Sequence, residues 1–314
     1  MSETPKGYTR GMGFIAPIAF TPANMVINVA ASTLPVWAAA TSYASGVQVI
    51  DGASRIIYRS LKDNNVGNAP ALSGTTSAGA WQAIGVEERL RMFDASLGSY
   101  TERADLIEVQ LKPGRVITDI ALFGVRATSV QVVMIDANDG QVFDSEDVSM
   151  LRPSGNSHWG YFFNPIERDE RLLISGLPAY TQATTIVRIK SPGAIARCGE
   201  IVAGRAVWLG NTYWRPSIGF DEFGEKKRDA WGGWMVTDGA YSDWMKLQVL
   251  VQGTQYERTR AQVVAFRKRP IVWIGARGVT ALMTYGYLMG FAQVLVTHGI
   301  SDCDLTINGL EITT

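Results

Sequence analysis

Residues 106–140 read LIEVQLKPGRVITDIALFGVRATSVQVVMIDANDG. Three runs rich in β-branched and aliphatic residues, Leu106–Leu111, Ile117–Phe123 and Val130–Ile135, are punctuated by the turns Lys112-Pro113-Gly114 and Asn138-Asp139-Gly140. Further out, Leu172–Ile174 and Thr185–Ile189 continue the series. Short strands at roughly 8–12-residue spacing predict a β-sandwich over 87–206. Beyond it, a Gly/Trp-rich stretch over 208–244 leads to a strand at Lys246–Val251. Tyr256–Arg269 has helical spacing of Val263, Val264 and Phe266, and Pro270 ends it. A strand at Ile271–Ile274 and further strands complete a second sandwich-like domain over 207–314. On the N-terminal side, Val47–Ile50 and Arg55–Ser60 flank Asp51-Gly52, a hairpin signal inside a small β module over 35–86. Residues 1–34 read as an arm with one or two strands. The expected class is mostly β: a small module, then two β-sandwich (jelly-roll-like) domains, with one notable helix near 256–269.

An internal echo links the two large domains. Cys198-Gly199-Glu200-Ile201-Val202-Ala203-Gly204 matches Cys303-Asp304-Leu305-Thr306-Ile307-Asn308-Gly309 in its Cys-to-Gly spacing. The echo predicts two thiols at equivalent places in separate cores, unpaired.

The chain has 314 residues, of which 46% are hydrophobic and 18% charged. That charged share is below the roughly 25% usual for soluble chains and points to surface hidden by partner subunits. Lys+Arg and Asp+Glu are 29 each, so no net field attracts a nucleic-acid backbone. The N-terminal MSETPKGYTR lacks the apolar core of a secretory signal, and assembly in a cytoplasm is expected. Val279–Ser301 holds no Asp, Glu, Lys or Arg. Gly286, Gly290 and Gly299 interrupt it, and Leu295 alternates with Gln293 and Thr297, so buried strands are expected there rather than a membrane span.

Catalytic signals are weak. His158 and His298, the only histidines, sit in no nucleophile or metal motif. Asp136-Ala137-Asn138-Asp139-Gly140 lacks the alternating carboxylates of a calcium loop and reads as a turn. Nothing aims Asp144, Glu146 and Asp147 at a cleft. Arg267-Lys268-Arg269 fits the C-terminus of a helix. No enzyme, metal or cofactor is expected. Two groups of aromatics remain. In the small module, Trp37, Tyr43, Tyr58 and Trp81 offer ring faces and Asn65 a polar group, a candidate carbohydrate site. In the Gly/Trp-rich stretch, Trp208, Trp214, Trp231, Trp234 and Trp244 are candidates for a subunit interface, with the apolar arm beside them.

The order Trp37…Tyr43-x-x-Gly46-x-x-Val49…Tyr58…Asn65-x-Gly67-x-x-Pro70…Trp81 resembles the small chitin-binding type of carbohydrate-binding module (families 5 and 12), with Val47 where an Asp is usual. Over nearly its whole length the chain resembles a family of tailed-phage and prophage tail structural proteins. The marks are that module, then Arg91-Met92-Phe93-Asp94, Trp159-Gly160-Tyr161-Phe162-Phe163, Cys198-Gly199 and Leu209-Gly210-Asn211-Thr212-Tyr213. Arg269-Pro270-Ile271-Val272-Trp273-Ile274-Gly275 and Tyr285-Gly286-Tyr287 complete them. The resemblance implies a tail-associated virion component (collar, adaptor, tail-tip or fibre-attachment protein), non-catalytic and built in the host cytoplasm. Its partners would be copies of itself and other tail or head-tail proteins, without nucleic acid or membrane insertion. The alternative is a tail protein that reads host-surface glycan through 35–86.

Overall fold

A computed structural model describes residues 8–70, 79–152, 167–213, 215–229, 231–252, 256–297 and 299–312. Among the described residues, strands take 57% and helical turns 7%, so the fold is mostly β as expected. The chain opens with β1 (Tyr8–Pro17) and β2 (Met25–Ile27), then a module of β3 (Gln48–Ile50), β4 (Ile56–Ser60) and β5 (Trp81–Val86). A 3-10 segment, Glu88–Phe93, leads into β6 (Thr101–Leu111), β7 (Asp119–Phe123), β8 (Ser129–Asp136), β9 (Gly140–Asp144) and β10 (Val148–Ser149). The short pair β11 (Leu151–Arg152) and β12 (Glu167–Arg168) precedes β13 (Arg171–Ser175), β14 (Thr184–Cys198) and β15 (Glu200–Tyr213). The remainder comprises β16 (Ser217–Glu222), β17 (Glu225–Arg228), β18 (Trp234–Thr237), β19 (Tyr241–Gln252), helix α1 (Tyr256–Ala265), β20 (Ile271–Ile274), β21 (Met283–Thr297) and β22 (Ile300–Ile312).

The sandwich expected in the first large region is present. One sheet runs β10-β8-β14-β6-β2 with β9 on β8. Its inward positions, such as Ile107, Val109 and Leu111 on β6, recur every second residue. They meet Ile120 and Leu122 of β7 and Ile201 and Ala203 of β15 in one core. The opposing layer belongs to a nine-stranded sheet, β13-β7-β15-β1-β20-β21-β22-β19-β16.

That sheet closes on itself. Because β15 also pairs with β19, through Asn211↔Leu250 and Thr212↔Val249, the strands β15, β1, β20, β21, β22 and β19 form an antiparallel ring. Met12, Phe14, Leu247, Val249, Trp273, Cys303 and Leu305 form its core, together with Val263 of α1. Phe266, just after α1, lies edge-on to Phe14 at 5.3 Å between centroids. A small barrel of this kind is filled by side chains and has no lumen. A third cluster joins the two bodies: Ala121 and Phe123 of β7 and Val202 of β15 meet Val272, Ile274 and Tyr285 on the barrel. β7 is therefore buried on both faces.

Three expectations change. The boundary at 206/207 falls inside β15, which serves the sandwich with its first half and the barrel with its second, so 207–314 is not a separate second sandwich. The β15 glycines are close-approach points: a Cβ would meet the Ala16 carbonyl oxygen at 1.9 Å on Gly204 and the Leu250 carbonyl oxygen at 2.2 Å on Gly210. The arm forms the one or two strands expected, β1 and β2, but it needs no partner subunit to cover β1, which lies between β15 and β20 with Met12, Phe14 and Ile15 fully buried by its own chain. The echoed cysteines are not equivalent, because Cys198 closes β14 whereas Cys303 sits inside β22. Both are nevertheless free, buried and in different cores. Burial pushes the Cys303 thiol up to about 11 and Cys198 higher still, so neither thiolate forms near neutrality. A thiol reagent is therefore expected to find no reactive group in the native protein and two after unfolding without reductant; a native reaction or a missing thiol contradicts this placement.

The helix begins where expected but ends at Ala265, with turns carrying the chain to Pro270. Val279–Ser301 is mostly β21, and no helix among the described residues is long and apolar enough to cross a membrane.

Candidate functional site: an exposed tryptophan hairpin

The module brings its five candidate residues together, but as its core. Tyr43, Tyr58 and Trp81 are buried, Trp37 is half-buried against them, and Tyr43 meets Trp81 edge-on at 5.3 Å. Their polar atoms are turned inward. Asn65 donates to Ser60 Oγ and to the Ala80 carbonyl, both at 3.0 Å, and accepts from Asn68 at 2.7 Å. Trp81 Nε1 donates to the Asn68 carbonyl at 2.8 Å, and Tyr43 Oη accepts from the Ala38 N–H at 2.8 Å. A unit of about fifty residues has few other side chains with which to build an interior. Three of the four platform aromatics are thus committed to the core, and only Trp37 keeps part of its ring accessible.

The second group separates into different roles. Trp208 is half-buried under the Arg277 guanidinium, 3.8 Å from its ring centroid. Trp244 is half-buried, lies against the backbone of Gly219, and has Lys246 Nζ 5.3 Å from its ring. Trp214 lies outside the described residues. Trp231 and Trp234 stand on a hairpin that leaves the barrel at its edge. β16 pairs with β19, and beyond it β17 and β18 pair only with each other. Every residue of β17 and β18 is exposed. Trp231 is 94% exposed and Trp234 63%, while a hydrophobic side chain of that size is ordinarily covered.

The hairpin is nonetheless built to hold its shape. The Asp229 carboxylate accepts the N–H groups of Trp231 at 2.9 Å and Gly233 at 2.7 Å, which fixes the turn. Arg228 faces its cross-strand partner Trp234 with its guanidinium 4.8 Å from the ring. Lys226 pairs with Glu222 and Lys227 with Glu225, so these two lysine charges are locally neutralised. Phe220, Phe223, Met235 and Val236 are also more than half exposed and extend the apolar surface. Sequence reading missed these four, because nothing in a short apolar run tells a buried strand from one that stands free.

Elsewhere the perturbed titratable groups hold the fold. Glu200, at the start of β15, is buried where the sandwich meets the barrel. Burial, reinforced by the charge of Asp94, pushes its carboxyl well above the usual range, although the Ala95 N–H and Tyr285 Oη donate to it. The Asp136 carboxylate accepts the Asn138 N–H at 2.9 Å, so that stretch is the turn expected. No cluster of three or more His, Cys, Asp or Glu suited to a metal occurs among the described residues; His158 and His298 lie outside them. In comparison with known proteins, no family model, no curated protein and no solved structure matches the chain.

Proposed function

We propose that this chain is a non-catalytic structural component of a bacteriophage virion, tail-associated, assembled in the host cytoplasm and working in several copies. The observation that carries the multi-copy reading is the hairpin of β17 and β18. It is held by its own turn and one cation–π contact yet leaves Trp231, Trp234, Met235 and Val236 open. Contiguous apolar surface rimmed by charge marks a protein–protein contact, and tryptophan is the residue most enriched at the energetic centre of such contacts. The tail assignment rests on the resemblance of the motifs that run from the small module to Tyr285-Gly286-Tyr287. A glycan-reading role for 35–86 is not proposed, because Tyr43, Tyr58 and Trp81 spend their ring faces on the module's core.

The test has two arms. In light scattering, the native chain is expected to be multimeric and the double variant Trp231→Ser/Trp234→Ser to fall to monomer mass with an unchanged melting curve. A monomeric native chain, or a variant of native mass, removes the observation's force. Antibody raised against the chain should decorate the tails of particles purified from the host culture; bare tails would overturn the virion assignment.

A further inference from the structure

We propose that a cleft at the seam between sandwich and barrel is a binding site for a small ligand carrying an oxyanion, a carboxylate or a phosphate group. Its wall carries Arg126, Arg168, Arg171 and Arg197 with Tyr100 and Tyr241, around a cavity of about 410 Å³. An adjoining cavity of about 370 Å³ shares Arg126, Arg168 and Arg197. One carboxylate lines each, Glu170 the larger and Glu102 the smaller, against four and three guanidiniums respectively.

The backbone forces the arginines together. Arg126 and Arg197 form an antiparallel bridge and exchange N–H···O bonds of 2.9 and 3.0 Å. Directly opposed residues project to the same face of a sheet, and like charges so placed repel. Arg197 is offset by Glu102 at 2.5 Å and lies 4.3 Å over the Tyr100 ring. Arg171 is held by Asp243 and by the Met283 carbonyl. Arg126 and Arg168 make no ion pair among the described residues. Two uncommitted guanidiniums on one concave wall present paired donors in the fork geometry that suits a carboxylate or a phosphate. The volume falls within the range of small-molecule sites, and Leu97 and Phe123 give it an apolar floor. The inference is independent of the virion reading and of the tryptophan hairpin.

Calorimetric titration of the full chain tests it with three probes: inorganic phosphate, glucuronate and neutral glucose. At least one anion is expected to bind and glucose not to bind. The affinity should fall at least tenfold in Arg126→Gln/Arg168→Gln and weaken as salt is raised. Tighter binding of glucuronate than phosphate assigns the cleft to an acidic sugar, and the reverse order to a phosphate group. Both arginines are exposed, so the variant is expected to melt as the native chain does; Arg168→Gln alone, on the short strand β12, repeats the test should the double variant unfold. Silence with both anions, equal binding of glucose, or native affinity in the folded variants overturns the proposal.

Discussion

Glu87→Ala is expected to destabilise the small module and its junction by about 3–5 kcal/mol, the range for breaking a buried ion pair from one side. Glu87 is fully buried between the module and the rest of the chain. Its carboxylate takes Arg55 in a two-bond grip at 2.8 and 2.9 Å, Arg89 at 3.0 Å and the Ser32 N–H at 2.7 Å. One side chain thus ties together the N-terminal segment, the module and the 3-10 turn; without it, two guanidiniums face each other uncompensated. Burial by itself would push the carboxyl up, but the bonds from Arg55, Ser32 and Arg89 outweigh it and bring it down to about 2. A carboxyl held below its unfolded value stabilises the fold at all pH values above about 4.5. That contribution, about 3 kcal/mol, is lost as pH falls through the folded value near 2. Urea denaturation between pH 2 and 7 should therefore show an acid-side loss in the native chain that Glu87→Gln lacks. Equal stability of Glu87→Ala and native protein at pH 7 would contradict the account.

Gly204→Ala should cost at least about 3 kcal/mol and is expected to lower the soluble yield, as overpacking against backbone does. The added Cβ would lie 1.9 Å from the Ala16 carbonyl oxygen and 2.9 Å from its carbon. Those atoms belong to β1, which pairs with β15 there through Pro17↔Gly204, so no side chain can swing aside. Gly85→Ala is the control. Its Cβ meets nothing within 4 Å, and it should stay within about 1 kcal/mol of native. If the two substitutions behave alike in denaturation, the close approach of β1 and β15 is not as described.

Local signals carried the β elements well. The runs at Leu106–Leu111, Val130–Ile135 and Ile271–Ile274 became β6, β8 and β20, because alternating or continuous β-branched residues between turns leave little else to form. What sequence could not carry was which strands close a ring. β15 passes from sandwich to barrel without a turn, its Gly204 and Gly210 staying within the strand, and the pairing of Asn211 with Leu250 joins residues far apart in the chain. Nor could it tell which aromatics face inward. Trp81 and Trp231 are the same residue in similarly glycine-rich surroundings, yet one is 8% exposed and the other 94%. The difference lies in whether neighbouring strands supply a second layer. The arginine cleft was illegible for a related reason, since Arg126 and Arg197 become neighbours only through a single long-range bridge.

The position of β1 has a kinetic consequence. It is the first of the described strands to be made, and its partners are Gly204–Tyr213 on one side and Val272–Ile274 on the other. At roughly 5–20 residues per second, synthesis takes on the order of ten to fifty seconds to travel from Ile15 to Val272. For that time Phe14 and Ile15 have no native cover on the β20 side, and pairing across such distances is slow even once both strands exist. A strand flanked on both sides in the finished molecule is therefore one that waits longest for its partners during translation.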